Sequence, residues 1–157
     1  MPAAPSELWR ISDFTELNGE GGLLYAARWH TAGHRIVYLA ESPAGALIEV
    51  LVHLELDEFD LPSFYKLLRV DVPEDLGLET LEVPKGEEWK QRPAETQAIG
   101  DAWLRSRSCA LARVPSAVLP NTYNYLLNPE HPGAALFRVA EVTSAAFDQR
   151  LFRKVRS

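Results

Sequence analysis

Short apolar runs alternate with Pro, Gly and Asp punctuation along this chain, and only two segments carry helical patterning. Residues 23–29 predict a strand and residues 36–40 its partner, joined by the loop His30-Thr31-Ala32-Gly33-His34. Ser42-Pro43 then predicts a helix start, because the serine can cap free backbone N–H groups and proline suits the first helical position. This helix should run from Pro43 to about Leu54. A second helix should begin near Pro93, carry Ile99, Trp103 and Leu104, and end around Ser106. Further strands are expected at residues 67–72, 109–114, 116–119 and 135–142. Residues 74–92, with Pro84, Gly86 and many charges, read as a surface excursion. Strands outnumber helices and mostly lack helical crossovers, so the pattern predicts an α+β fold rather than a doubly wound parallel sheet.

Composition narrows the picture. The 157 residues suit one domain spanning 1–157, and a hydrophobic content of 46% permits a real core. The single cysteine, Cys109, excludes a disulfide framework and a Cys-based zinc cluster, and it suits a reducing cytoplasm. The longest apolar segment, residues 44–54, is broken by Glu49 and His53 and falls short of a membrane span. The opening Met1-Pro2-Ala3-Ala4-Pro5 lacks the charge and apolar run of an export signal. A net charge of −6 argues against direct nucleic-acid binding by this chain. No metal is expected: of the four histidines only His30 and His34 are closely spaced, and they straddle a loop. Gly19, Gly21 and Gly22 lack the strand-then-helix setting of a dinucleotide fingerprint, and Ser116 lacks a Gly-x-Ser-x-Gly context.

Candidate chemistry concentrates between Arg28 and His53. Glu49 and His53 are the only polar residues between Ala44 and Leu54, and at four residues apart they share one helix face. The same helix offers Leu47, Ile48, Leu51, Val52 and Leu54 as a wide apolar surface. A carboxylate there must reach solvent, find a cation or face a ligand, because an unpaired buried charge is costly. Two readings stay open on spacing alone. Arg28 and Glu49 form an internal ion pair with His53 in the core, or Arg28 holds an anion while Glu49 stabilises developing positive charge beside an aromatic Tyr38. Residues 114–132, fixed in path by four prolines, add Ser116, Asn121, Asn124 and Asn128 as neutral hydrogen-bonding groups, suited to sugar hydroxyls or to turn building.

Several segments together resemble the RES-domain family, the toxin halves of bacterial toxin–antitoxin pairs. They are Ala27-Arg28-Trp29-His30-x-x-Gly33, Val37-Tyr38-Leu39-Ala40-Glu41-Ser42 and Ala46-Leu47-Ile48-Glu49-Val50-Leu51-Val52-His53. Gly100-Asp101-Ala102-Trp103-Leu104, Val114-Pro115-Ser116 and Asn124-Tyr125-Leu126-Leu127-Asn128-Pro129-x-His131-Pro132 follow in order. Ala27 departs from the glycine common before the arginine, but it is still small. The resemblance implies a compact ADP-ribosyltransferase-like fold, with small, mostly antiparallel sheets flanking a cleft and a few helices. It also implies an enzyme that consumes NAD+ as substrate, with no separate cofactor, by cleaving the nicotinamide–ribose bond through hydrolysis or phosphorolysis. NAD+ depletion would then arrest growth.

Catalytic roles fall by the same resemblance on Glu49, Arg28 and Tyr38, and substrate-binding roles on Ser116, Asn124 and His53. The implied partner is a cognate antitoxin with a DNA-binding helix-turn-helix region; a homo-oligomer is compatible with the sequence. Two alternatives accompany this reading: an ADP-ribosyltransferase that modifies a host protein, and a non-catalytic module that binds a transcription regulator through a fold braced by an Arg28–Glu49 pair.

Overall fold

The computed structural model describes residues 3–53 and 63–152. Among these residues seven strands appear: β1 (Glu7–Ile11), β2 (Val37–Ala40), β3 (Phe64–Asp71), β4 (Leu78–Thr80), β5 (Leu111–Pro115), β6 (Tyr123–Leu127) and β7 (Arg138–Ala146). Three α-helices accompany them: α1 (Glu20–Leu24), α2 (Pro43–His53) and α3 (Pro93–Ser106). The strands form one sheet in the order β4-β5-β6-β2-β1-β3-β7. Only β4 and β5 run parallel; every other neighbouring pair is antiparallel. The fold is therefore α+β as predicted, with its strands in a single mixed sheet rather than several small ones.

Alternation along the central strands supplies both faces of the core. Leu39, Leu111 and Leu127 pack on one face with Leu8, Val37 and Val70. Ala112, Val114 and Leu126 pack on the other with Trp29, Ile36, Trp89, Trp103 and Leu104. Helix α3 covers this second face, burying Thr96, Gly100, Trp103 and Leu104 at helical spacing. Its start follows from Pro93 in the first turn, and its end from Arg107, which adopts a left-handed conformation at the C-cap.

Several local expectations change. Residues 23–29 do not form a strand: residues 20–24 make a single helical turn, and Ala27 and His30 form an isolated bridge. Glycine permits this, because a Cβ at Gly22 would lie 2.4 Å from the His34 carbonyl oxygen. Residues 116–119 are not a strand either. The Ser116 hydroxyl accepts the Val118 and Leu119 amides at 3.1 Å, folding the chain into a turn. Residues 132–136 form a 3-10 turn, and β7 begins only at Arg138. The segment read as a surface excursion contains β4 and a 3-10 turn, Glu88–Gln91, that buries Trp89 in the core. Helix α2 starts as predicted, with Ser42 Oγ accepting the Gly45 amide at 3.0 Å. It buries only Ala46 fully, and Val52 is exposed, because the helix packs against β1 and β2 on one side and borders an open cleft on another. Leu54 and the basic residues Arg153, Lys154 and Arg156 lie outside the described residues.

Candidate active site

A cavity of about 610 Å³ opens between α2, the ends of β1 and β2, the loop before Trp29 and the turn after β5. Arg28, Tyr38, Glu49, His53 and Asn124 all line it. Ser116 lies just behind, with its neighbours Pro115 and Ala117 on the wall. The structure thus brings all six candidate residues to one place, from five different parts of the chain.

The carboxylate is held by neutral donors. Glu49 Oε1 accepts the Asn124 amide at 2.9 Å and the Ser116 hydroxyl at 3.3 Å. Ser116 can donate there because its own oxygen already accepts two backbone amides, which leaves its hydrogen for Glu49. Asn124 is fixed by β6, paired with Ala40 of β2 on one side and Val114 of β5 on the other. The two groups expected to touch sugar or amide directly are engaged on the carboxylate instead. Glu49 Oε2 has no hydrogen-bond partner among the described residues.

Arg28 does not pair with Glu49; among the described residues no ion pair joins them. Its Nη1 donates to the Lys90 carbonyl at 3.1 Å, and its guanidinium lies 5.9 Å from the centre of the Trp89 ring. The internal ion pair allowed by spacing is therefore absent, and His53 is exposed at the cleft rather than buried in the core. Helix α3 fixes the backbone behind Arg28. Thr96 Oγ1 donates to the Arg28 carbonyl, and Gln97 Nε2 donates to the Ala27 carbonyl at 2.9 Å. Gly100 makes this approach possible, since a Cβ there would lie 1.7 Å from the Trp29 carbonyl oxygen. Asp101 completes the clamp by accepting the Thr31 amide at 3.0 Å and the Thr31 hydroxyl at 2.7 Å.

Tyr38 presents its ring to the cavity and turns its hydroxyl inward. The phenol oxygen accepts the Trp29 amide at 3.1 Å and lies 2.7 Å from His30 Nδ1. Burial pushes the phenol far above its ordinary range, so it keeps its proton. Thr96 and Gln97 support the site although no motif marks them, whereas Gly100 and His30 stand inside motif segments.

Residues 7–149 match the family model described as RES domain. The chain belongs to the RES-domain toxin family. It is 43% identical over 145 residues to Toxin Res of Pseudomonas putida, covering 92% of this chain and 99% of the relative. Identity to the Prs ADP-ribosylating toxin of a Sphingobium strain is 34% over 163 residues, covering 95% and 98% of the two chains. A Toxin Res of Yersinia enterocolitica is 35% identical over 136 residues, covering 85% of this chain and 88% of the relative. This RES domain holds no group of three His, Cys, Asp or Glu side chains placed to bind a metal among its described residues. None of its described helices is long and apolar enough to cross a membrane.

Proposed function

We propose that this RES-domain chain is a toxin that cleaves the nicotinamide–ribose bond of NAD+. The observation that carries the reading is Glu49: a carboxylate on the cleft wall, fixed by two neutral donors on one oxygen, with no partner for the other oxygen among the described residues. Cleavage of that bond develops oxocarbenium-like positive charge at the anomeric carbon, while nicotinamide leaves as a neutral molecule. No general acid is needed for the leaving group. A preorganised negative charge beside the sugar stabilises the transition state more than the ground state. Glu49 is oriented for that task by an amide and a hydroxyl, with no arginine paired to it among the described residues. It can also accept the ribose 2′-hydroxyl, as glycosidase carboxylates do.

Arg28 suits the pyrophosphate. One guanidinium N–H is engaged by the Lys90 carbonyl, and the remaining donors match phosphate oxygens in forked geometry. Tyr38 supplies an aromatic face for nicotinamide. His53, one turn along α2 from Glu49, adds a polar group at the mouth.

Transfer of the ADP-ribosyl group to water gives ADP-ribose and a proton, and transfer to inorganic phosphate gives a phosphorylated ADP-ribose. Either would deplete NAD+ and arrest growth in the cytoplasm until an antitoxin with a helix-turn-helix region covered the toxin. A second reading, transfer to a host protein, draws support from the printed name of the Sphingobium relative. Mass analysis of the products with and without phosphate, alongside labelled NAD+ in cell lysate, separates the two. Free product without a labelled protein supports degradation, and a discrete labelled protein supports transfer. An absence of nicotinamide release would remove both.

A further inference from the structure

His30 is buried at 2% exposure and does not line the cleft. Its Nδ1 faces the Tyr38 hydroxyl at 2.7 Å. That hydroxyl already accepts the Trp29 amide, so its own proton needs an acceptor. On the far side of the ring, Nε2 is buried near the backbone of Gly22 and Tyr25, with no partner in good hydrogen-bond geometry among the described residues. Gly22 is what lets α1 come this close: a Cβ there would stand 3.2 Å from Nε2. A lone pair aimed at backbone carbonyls is repelled, whereas an N–H is attracted, so the surroundings favour a proton on Nε2 and a bare Nδ1.

We infer that His30 is a positioning residue: a neutral Nε2–H imidazole whose Nδ1 accepts a hydrogen bond from the Tyr38 hydroxyl, turns that hydroxyl away from the cleft and fixes the plane of the phenol ring. The ring face, not the hydroxyl, is then what Tyr38 offers a ligand. Burial lowers the histidine pKa from the ordinary 6.5, while the backbone of Tyr25 and Gly22 and the nearby Asp101 pull the other way and His34 adds to the lowering. The ring is thus neutral at neutral pH. His30 acts only through Tyr38, because its side chain does not line the cavity.

The substrate part of this inference rests on the proposed NAD+ reaction; the tautomer does not. Imidazole nitrogen NMR on the full chain should show one histidine locked as Nε2–H, with its Nδ1 signal moving in Tyr38→Phe. A locked Nδ1–H form would overturn the inference, whether or not NAD+ is a substrate. In kinetics, His30→Leu should raise KM for NAD+ about fivefold or more, the worth of one hydrogen bond, with kcat nearly unchanged. His30→Asn, whose carbonyl can take the place of Nδ1, should restore KM to within about twofold. Once Tyr38 is Phe, His30→Leu should add nothing further. An unchanged KM in His30→Leu, or no rescue by Asn in a variant melting like wild type, would overturn the positioning role. If His30→Leu does not fold, the Asn variant and the NMR tautomer still decide it.

Discussion

Asn124 Nδ2 stands 2.9 Å from Glu49 Oε1, so the carboxylate of the cleft is oriented by a neutral amide and not by the arginine that lines the same cavity. A guanidinium in that position would neutralise the charge, whereas an amide fixes the oxygen and leaves its charge intact. Replacing the amide by a second carboxylate therefore has a defined consequence. In Asn124→Asp the amide donor is lost and two carboxylates face each other, so the Glu49 oxygen is no longer held in place. Asn124→Asp should lower kcat/KM for NAD+ by about tenfold or more. The check is the rate of nicotinamide release by wild type and Asn124→Asp; equal rates in the two would contradict the arrangement.

Ser116 makes the second bond to Glu49 while its oxygen holds the turn after β5. Ser116→Ala should lower kcat by about tenfold and also reduce stability by about 1 kcal/mol, because the bond to Glu49 and the two bonds that hold the turn are lost together. Ser116→Thr keeps the hydroxyl and should recover most of both. Steady-state kinetics with thermal melts of the two variants test this, and a Thr variant as impaired as Ala would count against it.

Gly100 should tolerate no side chain. A Cβ 1.7 Å from the Trp29 carbonyl oxygen forces α3 away from the loop that carries Arg28. Gly100→Ala should cost about 1–3 kcal/mol in urea unfolding, and any folded fraction should bind NAD+ more weakly through a displaced Arg28. Stability equal to wild type would mean that helix and loop are not packed as described.

The buried histidine gives a pH signature of its own. Because burial lowers the His30 pKa below the ordinary 6.5, the unfolded chain binds its proton first as pH falls. Stability from this group is intact above about 6.5 and declines as pH drops from there toward the folded-state value. Melting curves between neutral and mildly acid pH should therefore fall more steeply for wild type than for His30→Asn. Parallel curves would show that His30 is not titrating from a buried neutral state.

How much of this was legible in sequence depended on whether the cause was local. Ser42-Pro43 and Pro93 mark their helix starts through capping and proline geometry within a few residues, so α2 and α3 lie where patterning put them. The Glu49–His53 face was readable for the same reason. Residues 23–29 misled because their apolar run resembles a strand, while their path is set by Thr96, Gln97 and Gly100, about 70 residues later in the chain. β6 hid among prolines and asparagines that read as turn chemistry, yet Tyr125, Leu126 and Leu127 are buried between β2 and β5. Side-chain partners were the least legible. Spacing allowed Arg28 to meet Glu49, and only the tertiary fold hands Arg28 to the Lys90 carbonyl and Glu49 to Asn124.

The most direct measurement is nicotinamide release from NAD+ by the purified chain, wild type beside Glu49→Ala, with melting temperatures taken on the same samples. Wild type should release nicotinamide, and Glu49→Ala should be slower by about 100-fold or more while melting within a few degrees of it. Equal rates in the two proteins, or no release by a folded wild type, would contradict the account.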